Sequence, residues 1–126
     1  MDRKFVTTAL GYAILGLLLG IFMAMSHNHS QLVTHAHILL IGFVVSFVYA
    51  VCHKLWLTGL VSKLVRIQYY AHQIGTLLLV VGLFLMYGGL VAEAILGPIL
   101  GIGSLLVLSG MIMMKVMFIR SKPKTL

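Results

Sequence analysis

Four long apolar segments, at about residues 5–25, 33–53, 67–90 and 94–119, take up most of the sequence. Each has the roughly 20 residues that a helix needs to cross a membrane. Since 61% of all residues are hydrophobic and only 9% are charged, no stretch has the composition of a separate soluble domain. The sequence therefore predicts one all-α domain over residues 1–126, an integral membrane four-helix bundle.

The basic residues predict how this bundle is oriented. All nine Lys and Arg residues lie on one side of the four-helix arrangement. Because basic residues favour the cytoplasmic side, we expect both termini in the cytoplasm, in a bacterial inner membrane. The net charge of +7 follows from this asymmetry and from attraction to anionic lipid headgroups, so a nucleic-acid partner is not expected. The segment 54–66, around Trp56, is expected to lie along the membrane surface as a short helix or turn.

Two histidines near the start of the second segment are the strongest functional signal. His35 and His37 lie in the run Thr34-His35-Ala36-His37. On an α-helix, residues i and i+2 point about 200° apart, so this pair cannot chelate one small ion. It can offer an imidazole on each flank of the helix to two flat cofactors, and heme is the leading candidate. Since unpartnered polar groups in hydrocarbon are costly, the pair indicates function.

The two faces of the second helix differ in character. On an α-helix, four further residues share one face with His35 and form a polar stripe with it: Gly42, Ser46, Tyr49 and His53. The face of His37 instead carries branched apolar side chains, namely Leu40, Ile41, Val44 and Val48. Gly42 is expected to leave room for a porphyrin, and Val44 to pack against it. We therefore predict a cofactor site formed by His35, His37, Gly42 and Val44.

The other four histidines are weaker candidates. His27 and His29 lie in the polar connection after the first helix. His53 and His72 are expected at similar depth near the cytoplasmic side. Their neighbours suggest a second heme or metal there, or a proton or quinone site that includes Gln68, Tyr69 and Tyr70. Counted along the helices, His72 is expected about 15 Å in depth from His37, so one iron cannot bridge these two.

Two glycine pairs have the spacing that lets membrane helices approach closely. Gly16 and Gly20 lie in the first helix, and Gly97 and Gly101 lie in the fourth. This spacing predicts close helix packing at both places without naming the partner helix.

The histidine segments resemble a known family. The run Thr34–Phe43, in which Gly42 and Phe43 follow the two histidines, resembles the His-x-His signature of heme-copper oxidase catalytic subunits, especially the cbb-type and nitric oxide reductase branches. The run His72–Leu78 is similar to the start of the next helix in those enzymes. The resemblance covers nearly the whole of this chain, which corresponds to four consecutive helices of the longer family chain. It implies that His35 and His37 bind different hemes.

The resemblance also implies an assembly and a function. The family's helices form four-helix arcs around a pseudo-threefold axis, and a homotrimer of this chain would resemble that arrangement. Each heme would then lie between neighbouring protomers, with His35 of one and His37 of the next as axial ligands and its propionates near His27 and His29. Because two imidazoles leave no open position for oxygen, we expect a b-type cytochrome that carries electrons rather than an oxidase. The redox partner is not specified, and quinol is one candidate.

Three alternatives remain open. The first is a heme or nitric oxide sensor in which one imidazole dissociates. The second is a copper-handling protein that uses His27, His29 and His35, since imidazole also suits copper. The third is a structural subunit of a larger respiratory complex. Covalent heme attachment is not expected, because the single cysteine, Cys52, cannot form a Cys-x-x-Cys-His motif.

Overall fold

The computed structural model describes residues 1–58 and 63–121, and these ranges contain four long helices and no strand. The helices are α1 (Asp2–Ser26), α2 (Leu32–Leu55), α3 (Lys63–Tyr87) and α4 (Glu93–Arg120). All four are long and apolar enough to cross a membrane, which confirms the all-α prediction and indicates an integral membrane protein. The expected membrane-surface segment falls partly on residues 59–62, outside the described ranges.

The helices pack as two antiparallel hairpins, α1 with α2 and α3 with α4, and α2 also contacts α3. In its most apolar stretch α3 is 50% buried, against 22% in α1, 33% in α2 and 17% in α4. The third helix is therefore central. We call one end of the bundle the basic end; it holds Asp2, Leu55, Lys63 and Arg120. We call the opposite end the loop end; it holds Ser26, Leu32, Tyr87 and Glu93.

The end of α3 differs from the prediction, since the helix stops at residue 87 rather than 90. Gly89 has a φ of 69°, the left-handed conformation that glycine adopts without strain. The Gly89 N–H donates to Met86 and the Leu90 N–H to Leu85, at 3.1 and 3.0 Å, which is a Schellman termination. The Gly88–Gly89 pair was the available sequence signal, and the apolar residues around it concealed the end.

The second helix is not α-helical throughout. It consists of an α-helical part Leu32–His37, a π-helical part Ile38–Val45 and an α-helical part Ser46–Leu55. We call Ile38–Val45 the π segment. A π-helix bonds each N–H to the carbonyl five residues earlier, so it has more residues per turn than an α-helix. The α-helical geometry used to define the polar stripe does not apply across this segment, but the four residues grouped with His35, namely Gly42, Ser46, Tyr49 and His53, are all buried.

The first predicted glycine pair packs against α2. A Cβ atom at Gly16 would lie 2.6 Å from the Leu39 side chain, and one at Gly20 would lie 2.9 Å from Cε1 of His35. Both positions are too close for a methyl group, so these glycines allow α1 to approach α2 at the level of the histidine pair. The prediction of close packing is confirmed here.

The second pair does not pack within the chain. A Cβ atom at Gly97 or Gly101 would meet nothing within 4 Å among the described residues. The tight crossing of α3 and α4 lies instead at Gly75 and Gly103, where a Cβ atom on Gly75 would lie 2.8 Å from the Gly103 carbonyl oxygen. Regular spacing alone did not distinguish the glycines at the helix interface from those on the outer surface.

Candidate functional site

The structure places His35 and His37 on different sides of α2. Nδ1 of His35 lies 2.8 Å from the carbonyl oxygen of Gly16 in α1. Nδ1 of His37 lies 2.9 Å from the carbonyl oxygen of Val33, one turn earlier in the same helix. One ring is therefore directed to the neighbouring helix, and the other stays on the surface of its own helix. Within one chain the two rings do not converge.

Both contacts define where the imidazole protons are. A carbonyl oxygen can only accept a hydrogen bond, so Nδ1 of His35 and of His37 carries the proton and donates. A neutral imidazole in this tautomer has its lone pair on Nε2, the atom that can ligate a metal. A backbone carbonyl on the opposite nitrogen is the usual outer contact of metal-ligating histidines. The rings of His35 and His37 are thus held in the form that a heme iron requires.

The two apolar positions of the predicted site have different surroundings. Gly42 is buried, and a Cβ atom there would lie 2.6 Å from Cγ of the Tyr12 ring. The space beside Gly42 is therefore filled by α1 of the same chain. Val44 is 42% exposed on the surface of the π segment, where its side chain is accessible to a membrane-embedded group. Gly42 is therefore a position where helices pack, whereas Val44 lies on the outer surface of the bundle.

His27 and His29 lie in the exposed connection between α1 and α2. His27 ends α1 in the left-handed conformation, with a φ of 56°, and the Asn28 side chain accepts a hydrogen bond from the Ser30 N–H at 3.0 Å. Within the described part of the chain, no three or more His, Cys, Asp or Glu side chains form a group that could hold a metal ion. The copper alternative therefore has no preformed three-ligand site in one protomer.

His72 lies deeper in the bundle than the sequence estimate placed it. Its side chain is fully buried, its Nε2 donates to the Ile41 carbonyl oxygen at 3.0 Å, and its ring packs edge-on against Tyr49 at 5.1 Å. Because Ile41 follows His37 by four residues, Nε2 of His72 lies about one helical turn from His37 along the axis of α2. The estimate of about 15 Å was wrong because α3 begins at Lys63, four residues before the predicted start.

His53 has its own partners near the basic end. Its ring nitrogen Nε2 lies 3.1 Å from Oε1 of Gln68, and its ring stacks on Phe5 at 5.3 Å. Gln68 lies one helical turn from His72 on α3. The two histidines therefore flank Gln68, and the Nε2 atom of each is already engaged in a hydrogen bond. A second metal site at His53 and His72 stays a prediction.

A buried row of polar side chains on α3 is the feature that the sequence least revealed. Gln68, His72 and Thr76 recur every four residues, and all three are 0% exposed. Beside them Gln73 donates to the Ser46 hydroxyl at 3.3 Å. We call these five residues the polar row. The four-residue spacing of polar groups within an apolar helix was the available signal, but of the polar-row residues on α3 only Gln68 and His72 were singled out.

Three buried atoms of the polar row lack a hydrogen-bond partner in the described part of the chain: Nε2 of Gln68, Nδ1 of His72 and Oε1 of Gln73. They comprise one donor and two acceptors. Buried polar groups of this kind are costly in a membrane interior unless they are partnered.

The tyrosines of the predicted proton or quinone site lie at the basic end and join α1 to α3. The Tyr69 hydroxyl is 2.7 Å from Oγ1 of Thr8, and the Lys4 ammonium donates to the Tyr70 hydroxyl at 3.0 Å. Tyr69 is buried, whereas Tyr70 is 45% exposed. Only Tyr69 therefore belongs to the bundle interior.

The resemblance to heme-copper oxidases rests on the runs Thr34–Phe43 and His72–Leu78. In the structure these two runs contact each other, through His72 and the Ile41 carbonyl. Comparison with protein-family models, with curated proteins and with solved structures gave no match to this chain.

Proposed function

We propose that this protein is a small membrane b-type cytochrome that holds heme non-covalently through His35 and His37 and carries electrons. The single observation that supports this most is the tautomer of the two rings. Each donates Nδ1–H to a backbone carbonyl and keeps the Nε2 lone pair for a metal. Iron held by two imidazoles exchanges single electrons and has no open position for oxygen.

The local backbone gives further support. The π segment begins directly after His37, and π-helical turns occur frequently at functional sites. The exposed Val44 provides an apolar surface beyond it. Two imidazoles at the edge of an apolar helix surface supply the two axial ligands that a six-coordinate heme needs.

The proposal requires more than one protomer. Because His35 is directed to α1 and His37 is not, the two rings of one chain cannot ligate the same iron. We infer a homotrimer in which His35 of one protomer and His37 of the next form each site, as the oxidase resemblance implies. The basic residues support an orientation with both termini in the cytoplasm, in a bacterial inner membrane.

The decisive experiment is the absorption spectrum of the purified protein, oxidised and reduced with dithionite, after expression with added heme. We expect a low-spin b-type spectrum and a matching pyridine hemochrome. His35→Ala and His37→Ala should lose it, and the control Ser104→Ala, at an exposed position of α4, should keep it. A colourless wild type, or heme retained in both histidine variants, would refute the proposal.

Two further measurements separate the alternatives. Adding carbon monoxide or nitric oxide to the reduced protein should leave the spectrum unchanged, since both axial positions are filled. A shifted spectrum would favour the sensor. Bound copper without porphyrin in a metal analysis would favour the copper-handling protein instead.

A further inference from the structure

A groove of about 540 Å³ lies between α1 and α2 at the basic end of the bundle. Ala50, which is 2% exposed, forms its floor because the small side chain leaves space between the helices. Val6 and Leu10 line one wall, and Phe47 and Val51 line the other. Leu10 and Phe47 are 50% and 42% exposed, so the walls are open to the surrounding membrane. Away from its charged end the groove is apolar except for Thr7, whose hydroxyl donates to the Arg3 carbonyl of its own helix, and its size is typical for ligand sites.

The groove opens away from the bundle interior. Phe5 and Ala9, both 0% exposed, direct the opposite side of α1 toward the other helices. In the chain as described, the groove is therefore covered by none of the other helices and faces the space that lipid occupies around a membrane protein.

The mouth of the groove is cationic. Arg3 and Lys54 line it and are exposed. Asp2 also lines it, with its carboxylate 3.8 Å from the amino group of Met1, so these two charges offset each other. Lys4, the neighbouring cation, is directed away to a tyrosine of α3. Two positive charges thus remain at the mouth, at the level where a helix leaves the apolar core.

We propose that this groove binds one anionic phospholipid, with its phosphate at Arg3 and Lys54 and an acyl chain along the apolar walls. A basic mouth above an apolar channel is complementary to an anionic headgroup above a hydrocarbon chain. The groove lies between two helices and at their end, where lipid headgroups are found. This inference does not depend on the proposed heme site.

Two other occupants fit less well. A second copy of the chain cannot neutralise the mouth with a free acidic side chain. The chain has only two acidic residues, Asp2 and Glu93; Asp2 already lies in the groove, and Glu93 begins α4 at the loop end. Heme would find no histidine, cysteine or methionine among the residues that line the groove.

The test is native mass spectrometry of the whole protein exchanged into detergent with equal amounts of phosphatidylglycerol and phosphatidylcholine of identical acyl chains. The wild type should retain one phosphatidylglycerol in preference to phosphatidylcholine. In the double variant Arg3→Gln/Lys54→Gln the preference should fall about 25-fold, roughly fivefold for each charge. The matched control Lys63→Gln/Arg120→Gln removes two exposed basic-end charges outside the groove and should keep the preference.

A steric variant tests the channel separately. Val51→Trp fills one wall, and we expect it to lower the retention of both lipids while leaving the helix content unchanged by circular dichroism. Equal retention of the two lipids by the wild type would overturn the proposal, as would an equal loss in the control double variant. Displacement of the lipid by inorganic phosphate alone would show an anion site rather than a lipid site and would also overturn it.

Discussion

The imidazole of His72 is tied to the backbone of the π segment through a 3.0 Å hydrogen bond from Nε2 to the carbonyl oxygen of Ile41. This contact joins the most buried helix of the bundle to the irregular part of α2, at a level one turn below His37. It is also the point at which the runs Thr34–Phe43 and His72–Leu78 meet. The π segment and α3 are therefore expected to behave as one structural unit.

Replacing His72 with Phe keeps a ring of similar shape but leaves the Ile41 carbonyl without its donor. We expect the variant to lose about 1 kcal/mol of unfolding free energy, the range found for hydrogen bonds inside proteins and membranes. Thermal unfolding in detergent, followed by circular dichroism, measures this loss. His29→Gln, in the exposed connection, is the control and should unfold like the wild type; equal stability of all three proteins would contradict the prediction.

Gly75 and Gly97 make a matched pair for the packing of α3 and α4. Gly75→Ala places a methyl group 2.8 Å from the Gly103 carbonyl oxygen, a backbone atom that can move only with its helix. We expect a loss of roughly 1–3 kcal/mol in stability, typical of overpacking. Gly97→Ala meets no described atom within 4 Å and should leave unfolding in detergent unchanged or slightly more stable. A similar loss in both variants would show that the crossing is elsewhere.

Gly20 controls the position of a proposed heme ligand. A methyl group there would lie 2.9 Å from Cε1 of His35. The ring must then move relative to the Gly16 carbonyl that orients it. We expect Gly20→Ala to lower the heme content or convert the spectrum from low to high spin, with the helix content unchanged. Gly11→Ala, in the same helix but with no described atom within 4 Å of the added methyl, should keep the wild-type spectrum.

Sharing of ligands between protomers can be tested by complementation. His35→Ala keeps only His37, and His37→Ala keeps only His35. If each heme takes one ligand from each of two neighbours, co-expression of the two variants restores complete pairs at some interfaces. For random assembly into trimers we expect about a quarter of the wild-type heme content. Colourless mixtures would contradict shared ligands while leaving heme binding by the wild type as a separate question.

The helices were predictable because length and apolarity determine whether a segment can span a membrane, and both are visible in the sequence. The divergence of the His35 and His37 side chains was also predictable, because the angle between residues i and i+2 follows from α-helical geometry. That geometry also held because the α-helical part of α2 extends to His37, just before the π segment.

What the sequence could not show depends on contacts between helices. The π segment has no signature of its own in the run of apolar residues that forms it, and one of its carbonyls is hydrogen-bonded by His72, a residue 31 positions away. The sequence likewise did not show that Gly16 and Gly20 pack against α2. The position beside Gly42 was expected to be open, yet Tyr12 of α1 fills it.

The π segment sets the rotation of the basic half of α2 relative to the histidine pair. If Ile38–Val45 became a regular α-helix of the same length, everything after it would rotate, because an α-helix has fewer residues per turn than a π-helix. Ser46 would leave Gln73, and His53 would leave Gln68. The backbone hydrogen-bond pattern of Ile38–Val45 therefore determines which side chains of α2 meet α3. A change in that pattern can separate Ser46 and His53 from their partners even when every side chain is kept.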